Sequence, residues 1–202
     1  VKKRGTMSQS VIARNRIGRS RRNKIKKAFA LMTNQSDSII LIGPMGSGKT
    51  SSGRILAKEM GYRFADTDEE VVQRTGVSIA YIFDVEGEDG FRVREHEALK
   101  RLIQKKDTVV ATGGGIVGYS RSRIIIQERK NVVYLKTSID KQIERATVSD
   151  NRPLLIDTDP ASKLEELMLT REPLYEEISD IKIDTDKSTP REIALEIIDK
   201  LV

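Results

Sequence analysis

The segment from Gly43 to Thr50 constrains the fold of this chain more than any other feature. It reads Gly-Pro-Met-Gly-Ser-Gly-Lys-Thr and follows directly on the apolar run Ile39–Ile42. This is the GxxxxGK[ST] pattern of a phosphate-binding loop, which connects a strand to a helix. The three glycines let the backbone turn tightly, so that its N–H groups form an anion-binding nest beside the positive end of the following helix. The segment therefore predicts a nucleotide-phosphate site in an α/β domain.

Two side chains at the end of the loop would act on the nucleotide directly. Lys49 brings a mobile cation to the outer phosphates, and the Thr50 hydroxyl is suited to ligate Mg²⁺. The alternative is a glycine-rich turn that matches the pattern by chance. The strand before it and the helical segment after it favour the phosphate site.

Charge divides the chain into two parts. Residues 1–36 contain eleven Lys or Arg and no Asp or Glu, whereas the other 166 residues contain 25 basic and 30 acidic side chains. The net charge of +6 therefore belongs to a basic N-terminal extension and not to the domain at 37–202. A solvated extension is the simpler interpretation, and an arm that binds nucleic acid or a membrane surface is the alternative.

The composition excludes several kinds of chemistry. The chain contains no Cys and a single His, which rules out disulfides, thiolate catalysis and cysteine metal sites. No apolar stretch approaches the length of about 20 residues that spans a bilayer. We therefore expect no membrane span and a cytoplasmic location.

From residue 38 onward, short apolar segments alternate with helical patterns. This alternation indicates βαβ units, and so a parallel sheet with helices on both faces and ligands at the carboxyl ends of its strands. Strands are predicted at 38–42, 63–65, 108–111, 131–135 and 180–184. Helices are predicted at 49–60, 69–75, 78–85, 88–104, 138–147, 161–176 and 190–201.

Two carboxylates follow the second predicted strand, at Asp66 and Asp68. One carboxylate near a phosphate-binding loop can hold Mg²⁺, usually through water. A second carboxylate, two residues further on, could accept the proton of an acceptor hydroxyl. The alternative is an ordinary helix cap, and the neighbouring phosphate loop favours the functional interpretation.

Several other segments carry candidate site residues. Arg92 and Glu95 are spaced to touch on one helix, either as a surface ion pair or as an arginine fork held ready for a carboxylate. Gly113–Gly115 follows a strand and offers a further run of close-approach N–H groups. The polar segment 148–158 is either a surface loop or a mobile lid that presents Arg152 beside Pro153.

Together these segments resemble the shikimate kinase family over residues 38–202. Five separated motifs occur in the family's order, and jointly they are specific. They are the phosphate loop at Gly43–Thr50, Asp66–Asp68, the Gly-Glu-x-x-Phe-Arg-x-x-Glu element at Gly87–Glu95, Gly113–Gly115, and Arg152–Leu155 followed by Arg171–Tyr175.

The resemblance implies the fold of a P-loop kinase of the nucleoside-monophosphate-kinase-like type, with three layers around a central five-stranded parallel sheet. It implies a substrate-binding segment at about 68–96 and a lid at about 147–158. The implied catalytic residues are Asp68 as base, Lys49 and Arg152. The implied Mg²⁺ ligands are Thr50 and, through water, Asp66.

The resemblance also implies binding residues for ATP and shikimate. The ATP set is Gly46, Ser47, Gly48, Lys49, Thr50, Ser51, Arg145, Arg152 and Pro190, of which Arg145 and Pro190 would flank the adenine. The shikimate set is Asp68, Phe83, Phe91, Arg92, Glu95, Gly113, Gly114, Gly115 and Arg171. Within it, Glu95 would support Arg92 and the two phenylalanines would wall the pocket.

We therefore expect ATP-dependent phosphorylation of the 3-hydroxyl of shikimate, in chorismate and aromatic amino-acid biosynthesis, by a monomer with Mg²⁺ as its cofactor. One alternative is another small-molecule P-loop kinase, such as a gluconate kinase. Another is a nucleic-acid-associated ATPase that uses the basic arm. The scarcity of aromatic residues for base stacking makes nucleic acid the weaker prediction.

Overall fold

A computed structural model of the chain describes residues 38–146 and 160–201. The basic extension at 1–36 and the predicted lid at 147–158, with Arg152, lie outside these residues. The strands are β1 (Ile39–Ile42), β2 (Arg63–Asp66), β3 (Thr108–Ala111), β4 (Val132–Lys136) and β5 (Ile181–Asp184). The helices are α1 (Lys49–Met60), α2 (Thr67–Thr75), α3 (Ile79–Leu102), α4 (Ser120–Gln127), α5 (Ile139–Ala146), α6 (Pro160–Ile178) and α7 (Pro190–Leu201), with a short 3₁₀ turn at Ile116–Gly118.

The five strands form one sheet in the order β2-β3-β1-β4-β5, and every neighbouring pair is parallel. The predicted central five-stranded parallel sheet is therefore confirmed. Strand β1 lies in the middle, between β3 and β4, which explains why its four residues are all fully buried and apolar. A strand covered on both faces needs a continuous hydrophobic run and not an alternating one.

The core consists of two layers, one on each face of the sheet. Successive side chains of a strand point to opposite faces, so Ile39 and Leu41 join one layer while Ile40 and Ile42 join the other. The first layer packs β1 against α1 and α7, and the second packs it against α3 and α6. Helices on both faces complete the predicted three layers.

Two features of the helices differ from the prediction by more than a few residues at an end. The helices predicted at 78–85 and 88–104 are one continuous segment, α3, with a single non-helical residue at Gly87 (φ 71°, ψ −177°). Glycine reaches this conformation without a Cβ clash, so α3 bends there. Helix α4 was not predicted, because its three successive isoleucines favour a strand and its first turn has no side-chain cap.

The parallel sheet brings three of the motifs to one edge. The phosphate loop follows β1, Asp66 ends β2, and Gly113–Gly115 follows β3. Since these three strands are adjacent and parallel, their carboxyl ends meet at the same edge of the sheet. Among the residues that the structure describes, no helix is both long and apolar enough to cross a membrane.

Candidate active site

The phosphate loop is held in shape by its own lysine. The ammonium of Lys49 donates hydrogen bonds to the carbonyl oxygens of Gly43 (2.8 Å) and Pro44 (2.7 Å), and to Ser47 Oγ (3.3 Å). Gly48 caps α1 in the left-handed region (φ 87°). A glycine-rich loop that leads through a left-handed glycine into a helix amino terminus is the arrangement that binds phosphate.

Two predicted metal ligands are in contact beside this loop. Thr50 donates its hydroxyl hydrogen to Asp66 Oδ2 at 3.0 Å. The other carboxylate oxygen of Asp66 accepts from the backbone N–H of Asp68 (3.0 Å) and Glu69 (3.5 Å), and so caps α2. Asp66 therefore serves as a helix cap while one of its oxygens stays directed at Thr50.

A cavity of about 530 Å³ opens on one side of the phosphate loop. The guanidinium of Arg145 lies at its wall and donates to the carbonyl oxygens of Gly46 (2.8 Å) and Thr185 (2.9 Å). These bonds link α5, the phosphate loop and the segment after β5. The cavity is lined by Gly46, Gly48, Lys49, Thr50, Ser51, Arg145, Ser188, Pro190 and Ile193.

A larger cleft of about 600 Å³ lies on the other side of the loop, and it shares Gly46, Lys49 and Thr50 with the first cavity. Its floor is the Gly113–Gly115 turn. Its aromatic wall is Phe83 and Phe91, whose ring centres are 4.9 Å apart. Its remaining lining is mostly apolar and includes Met45, Val72, Ile79, Leu164, Leu167 and Met168.

Two carboxylates meet at the bottom of this cleft. Asp68 Oδ1 and Glu95 Oε1 are both buried, and neither has a hydrogen-bond partner among the described residues. Both face Gly113, where an added Cβ would overlap Glu95 Oε1 and lie 2.9 Å from Asp68 Oδ1. Only glycine leaves room for this pair, which explains the first position of the triple glycine.

The surroundings of Asp68 raise its pKa to about 7. Burial is the largest cause, and the neighbouring charges of Glu95 and Asp66 add to it, while Lys49 and Arg92 oppose it. Burial also raises the pKa of Glu95, and its ion pair with Arg92 opposes that shift. A carboxylate that titrates near neutral pH can accept a proton from a hydroxyl under physiological conditions.

Arg92 is buried and held on two sides. It donates from Nη1 to Glu95 (2.7 Å), and from Nε (3.2 Å) and Nη2 (2.8 Å) to Glu88. Burial lowers the pKa of Arg92, but Glu95 and Glu88 outweigh it and the pKa is raised. The guanidinium lies against Gly115, where any Cβ would overlap it. Arg92 is therefore a fixed cation at the cleft.

The structure places most of the predicted site residues around these two cavities. Arg171 lines the same cleft as Arg92. Ser47 is fully buried, with its hydroxyl turned to Lys49, so its side chain supports the loop. Glu95 is also buried and reaches the cleft only behind Arg92 and Gly113. Arg152 lies outside the described residues.

Four further polar residues were not predicted as site residues. Glu88 holds Arg92, and its i, i+4 spacing from Arg92 could have indicated it. Thr67 is buried and accepts from the N–H of Gly113 at 2.9 Å. Tyr175 donates from its hydroxyl to the carbonyl oxygen of Gly114. Gln142 lines the cleft with a buried, unpartnered Oε1. Thr67 and Tyr175 lie within the motifs Asp66–Asp68 and Arg171–Tyr175, but their contacts, like the position of Gln142, join segments that are distant in the sequence.

A third cavity, of about 700 Å³, lies on the outer side of α2 and α3. It is the largest of the three, but it contains none of the predicted site residues. The arginines around it are already in ion pairs, for example Arg94 with Glu86 and Arg74 with Glu70. Size alone therefore does not identify the active site, and the convergence of polar groups on the cleft does.

Comparison with known proteins gives a consistent result. The sequence model of a family described as "Shikimate kinase" matches residues 45–202. The chain is 47% identical over 164 residues to the shikimate kinase of Pseudomonas syringae pv. tomato, covering 81% of this chain and 95% of that one. It is 46% identical over 164 residues to the shikimate kinase of Shewanella woodyi, covering 81% and 96%.

Two solved structures are also similar. The shikimate kinase from Acinetobacter baumannii in complex with shikimate superposes with a TM-score of 0.81 at 41% identity, over 87% of this chain and 96% of that one. A gluconokinase from Sinorhizobium meliloti reaches a TM-score of 0.57 at 22% identity, over 82% and 91%. The second likeness shows a common fold and nothing more.

Proposed function

This chain belongs to the shikimate kinase family, and from that membership we propose that it transfers the γ-phosphoryl group of ATP to the 3-hydroxyl of shikimate. The products are 3-phosphoshikimate and ADP, in chorismate and aromatic amino-acid biosynthesis. The observation that carries the proposal is the pair of cavities that share Gly46, Lys49 and Thr50. A phosphate bound at the loop would lie between a nucleotide on one side and an acceptor on the other.

The family resemblance drawn from the sequence is confirmed, and so is the P-loop kinase fold of the nucleoside-monophosphate-kinase-like type. The chain is accordingly a kinase. A gluconate kinase is not favoured, because the relatives at 46–47% identity are shikimate kinases. The basic extension, on which the nucleic-acid alternative rested, lies outside the described residues.

On the donor side, Lys49 and the loop N–H groups would hold the ATP phosphates, as the nest geometry supports. The cavity at Arg145 and Pro190 would receive the adenine, since it opens directly from the loop. Ser51 lies on the wall of the same cavity. Arg152 remains a prediction from the sequence, as a further cation for the transferring phosphoryl group.

Thr50 and Asp66 fit a magnesium site. Their oxygen atoms are 3.0 Å apart, and hydroxyl and carboxylate oxygens are the hard ligands that Mg²⁺ prefers. The described residues contain no group of three or more Asp, Glu, His or Cys that could hold a metal ion by themselves. Such an ion would take its other ligands from phosphate and water, and it would neutralise charge on the phosphates.

On the acceptor side, Arg92 and Arg171 would hold the shikimate carboxylate, with Glu88 and Glu95 fixing the guanidinium of Arg92. Phe83 and Phe91 would wall the ring. The unpartnered oxygen of Asp68 would then accept a hydrogen bond from the 3-hydroxyl. As the hydroxyl oxygen bonds to the γ-phosphorus, its proton passes to Asp68 and the bond from phosphorus to the β-phosphate oxygen breaks.

The decisive measurement is ADP release, followed by a coupled assay, with ATP, Mg²⁺ and shikimate. We expect turnover that requires shikimate and that D-gluconate does not replace. Arg92→Ala should raise the KM for shikimate by about 100-fold while the KM for ATP changes little, since Arg92 lines the cleft and not the cavity on the donor side. Arg94→Ala is the matched control, because Arg94 is exposed and turned to Glu86.

Removal of Arg92 leaves Glu95 buried without its partner, and this can destabilise the fold. Arg92→Lys keeps the positive charge but loses the paired donors of the guanidinium. It should therefore give an intermediate KM for shikimate with near-normal thermal stability. Turnover that does not depend on shikimate would overturn the proposed function. An equal loss of ATP affinity in Arg92→Ala would overturn the role of that arginine.

A further inference from the structure

Two buried tyrosines stack on each other behind the cleft. Tyr134 belongs to β4 and Tyr175 to α6, and both are fully buried. Their ring centres are 5.0 Å apart and their planes differ by 20°. A buried tyrosine hydroxyl usually finds a hydrogen-bond partner. The hydroxyl of Tyr175 has one, the carbonyl oxygen of Gly114, whereas that of Tyr134 has none among the described residues.

The bond from Tyr175 joins α6, which carries Arg171, to the glycine turn against which the side chain of Arg92 packs. Tyr175 lies one helical turn after Arg171, so both side chains project from the same face of α6. Gly114 is the middle residue of the turn whose next residue, Gly115, touches the guanidinium of Arg92. The spacing between Arg171 and Arg92 therefore depends on how α6 sits against this turn.

The local structure of α6 makes the hydrogen bond from Tyr175 to Gly114 more important. Pro173 lies inside the helix, between Arg171 and Tyr175. Proline has no N–H to donate and interrupts the ladder of helical hydrogen bonds. The orientation of this part of the helix is therefore set by tertiary contacts to a greater degree than in an uninterrupted helix.

Gly114 also touches the phosphate loop. A Cβ added to Gly114 would lie 3.2 Å from the backbone N of Met45 and 3.5 Å from the carbonyl oxygen of Gly43. The residue that accepts the bond from Tyr175 is thus packed between α6 and the donor loop. A shift of the turn would alter the acceptor side directly and would press on the loop only through a van der Waals contact.

We propose that the Tyr175 hydroxyl positions the acceptor site: its bond to Gly114 fixes the glycine turn against α6 and so sets the distance between Arg92 and Arg171. Tyr175 is a positioning residue, since its hydroxyl is bonded to the Gly114 carbonyl and acts through the glycine turn. This role goes beyond the acceptor-binding residues named above, and it rests on the proposed function in that the ligand spanning the two arginines is shikimate.

The two tyrosines provide a matched pair of variants. Tyr175→Phe and Tyr134→Phe each remove one hydroxyl from the same stacked pair, and both keep the rings and the packing. Only the first removes a hydrogen bond and leaves a buried carbonyl without its donor. We expect Tyr175→Phe to raise the KM for shikimate about tenfold, with the KM for ATP changed by less than about twofold. Tyr134→Phe should leave both constants within about twofold of the wild type.

The proposal is overturned if the two variants change the KM for shikimate equally. It is also overturned if Tyr175→Phe lowers thermal stability while leaving that KM unchanged, because the hydroxyl would then be structural only. Hydrogen exchange of the backbone amides at 113–116 in the free protein separates this test from the proposed function. We expect faster exchange there in Tyr175→Phe than in Tyr134→Phe, and this comparison needs no substrate.

A wild-type enzyme with no turnover of shikimate would overturn the proposed function. The exchange experiment would then still decide whether Tyr175 fixes the glycine turn. Equal exchange in the two variants would overturn the positioning role even if the kinase activity is confirmed.

Discussion

The donor and acceptor halves of this site are built in different ways. The donor half is the contiguous loop Gly43–Thr50, whose lysine is satisfied by three oxygens of the loop itself. The acceptor half assembles side chains from α2, α3 and α6 with the turn after β3. It contains two buried carboxylate oxygens, on Asp68 and Glu95, that have no partner within the part of the chain that the structure describes. The lysine of the donor half is already paired in the free protein, whereas the acceptor half has buried acceptor oxygens that are left unpaired among the described residues.

This difference indicates what each half contributes. A backbone nest closed by its own lysine keeps its shape whether or not phosphate is bound. Unpartnered buried oxygens cost free energy in the empty site, and a ligand with hydroxyl donors would recover part of it. The acceptor half should therefore determine substrate specificity, because a molecule without matching hydroxyls would leave those oxygens unsatisfied.

The largest effect is expected from Asp68→Asn, which removes the predicted base from the acceptor half. We expect kcat to fall by about 10³-fold, because the amide cannot accept the proton of the 3-hydroxyl. Binding of ADP, measured by calorimetry, should stay close to that of the wild type. A variant that keeps most of its kcat would show that Asp68 only orients the acceptor.

The same carboxylate predicts how activity and stability depend on pH. The pKa of Asp68 in the free protein is raised from 3.8 to about 7, so kcat/KM for shikimate should fall as the pH drops below about 7. The stability of the fold depends on pH in the opposite direction. Protonated Asp68 favours the folded state, and this contribution is lost as the pH rises through 7. Asp68→Asn should therefore raise Tm more at pH 8 than at pH 5. An equal increase in Tm at pH 5 and at pH 8 would contradict the raised pKa of Asp68.

The next largest effect is expected from Gly115→Ala. Its Cβ would overlap the guanidinium of Arg92, which Glu88 and Glu95 prevent from moving freely. We expect the KM for shikimate to rise about 10- to 100-fold from this overpacking, with little change in the KM for ATP. Gly118→Ala is the control, because nothing lies within 4 Å of the Cβ position there. Similar kinetics in the two variants would show that the side chain of Arg92 can move aside without weakening the binding of shikimate.

A smaller effect is expected on the donor side from Arg145→Ala. This change removes the hydrogen bonds to Gly46 and Thr185 and part of the wall of the cavity that is proposed to receive the adenine. We expect the KM for ATP to rise about fivefold, while the KM for shikimate is unaffected. A change in the KM for shikimate alone would contradict the division of the site into two halves.

The smallest effect is expected from the ion pair of Glu86 and Arg94, which spans the bend at Gly87. Arg94 Nε donates to Glu86 at 2.8 Å, and both side chains are partly exposed to solvent. Exposed ion pairs are screened by solvent and contribute little, so Arg94→Ala should raise the KM for shikimate by at most about fivefold. A much larger increase would show that this pair sets the bend of α3 and with it the acceptor cleft.

The sequence predicts the donor half well because its determinants are local. A buried strand, a glycine pattern and a helix amino terminus specify a nest within twelve residues. The sheet is predicted for the same reason, because continuous apolar runs are typical of parallel strands that are covered on both faces. Helix α4 was missed, since its isoleucines favour a strand and only packing against its neighbours makes it helical.

The sequence by itself determined the fold, the phosphate loop and the kinds of residue that face the acceptor. Only the tertiary structure decided that Asp68 and Glu95 share the space left by Gly113, that the pKa of Asp68 rises to about 7, and that Tyr175 ties α6 to Gly114. The physical reason is that burial and charge pairing depend on all neighbours within a few ångströms. Those neighbours come from four elements that lie far apart along the chain.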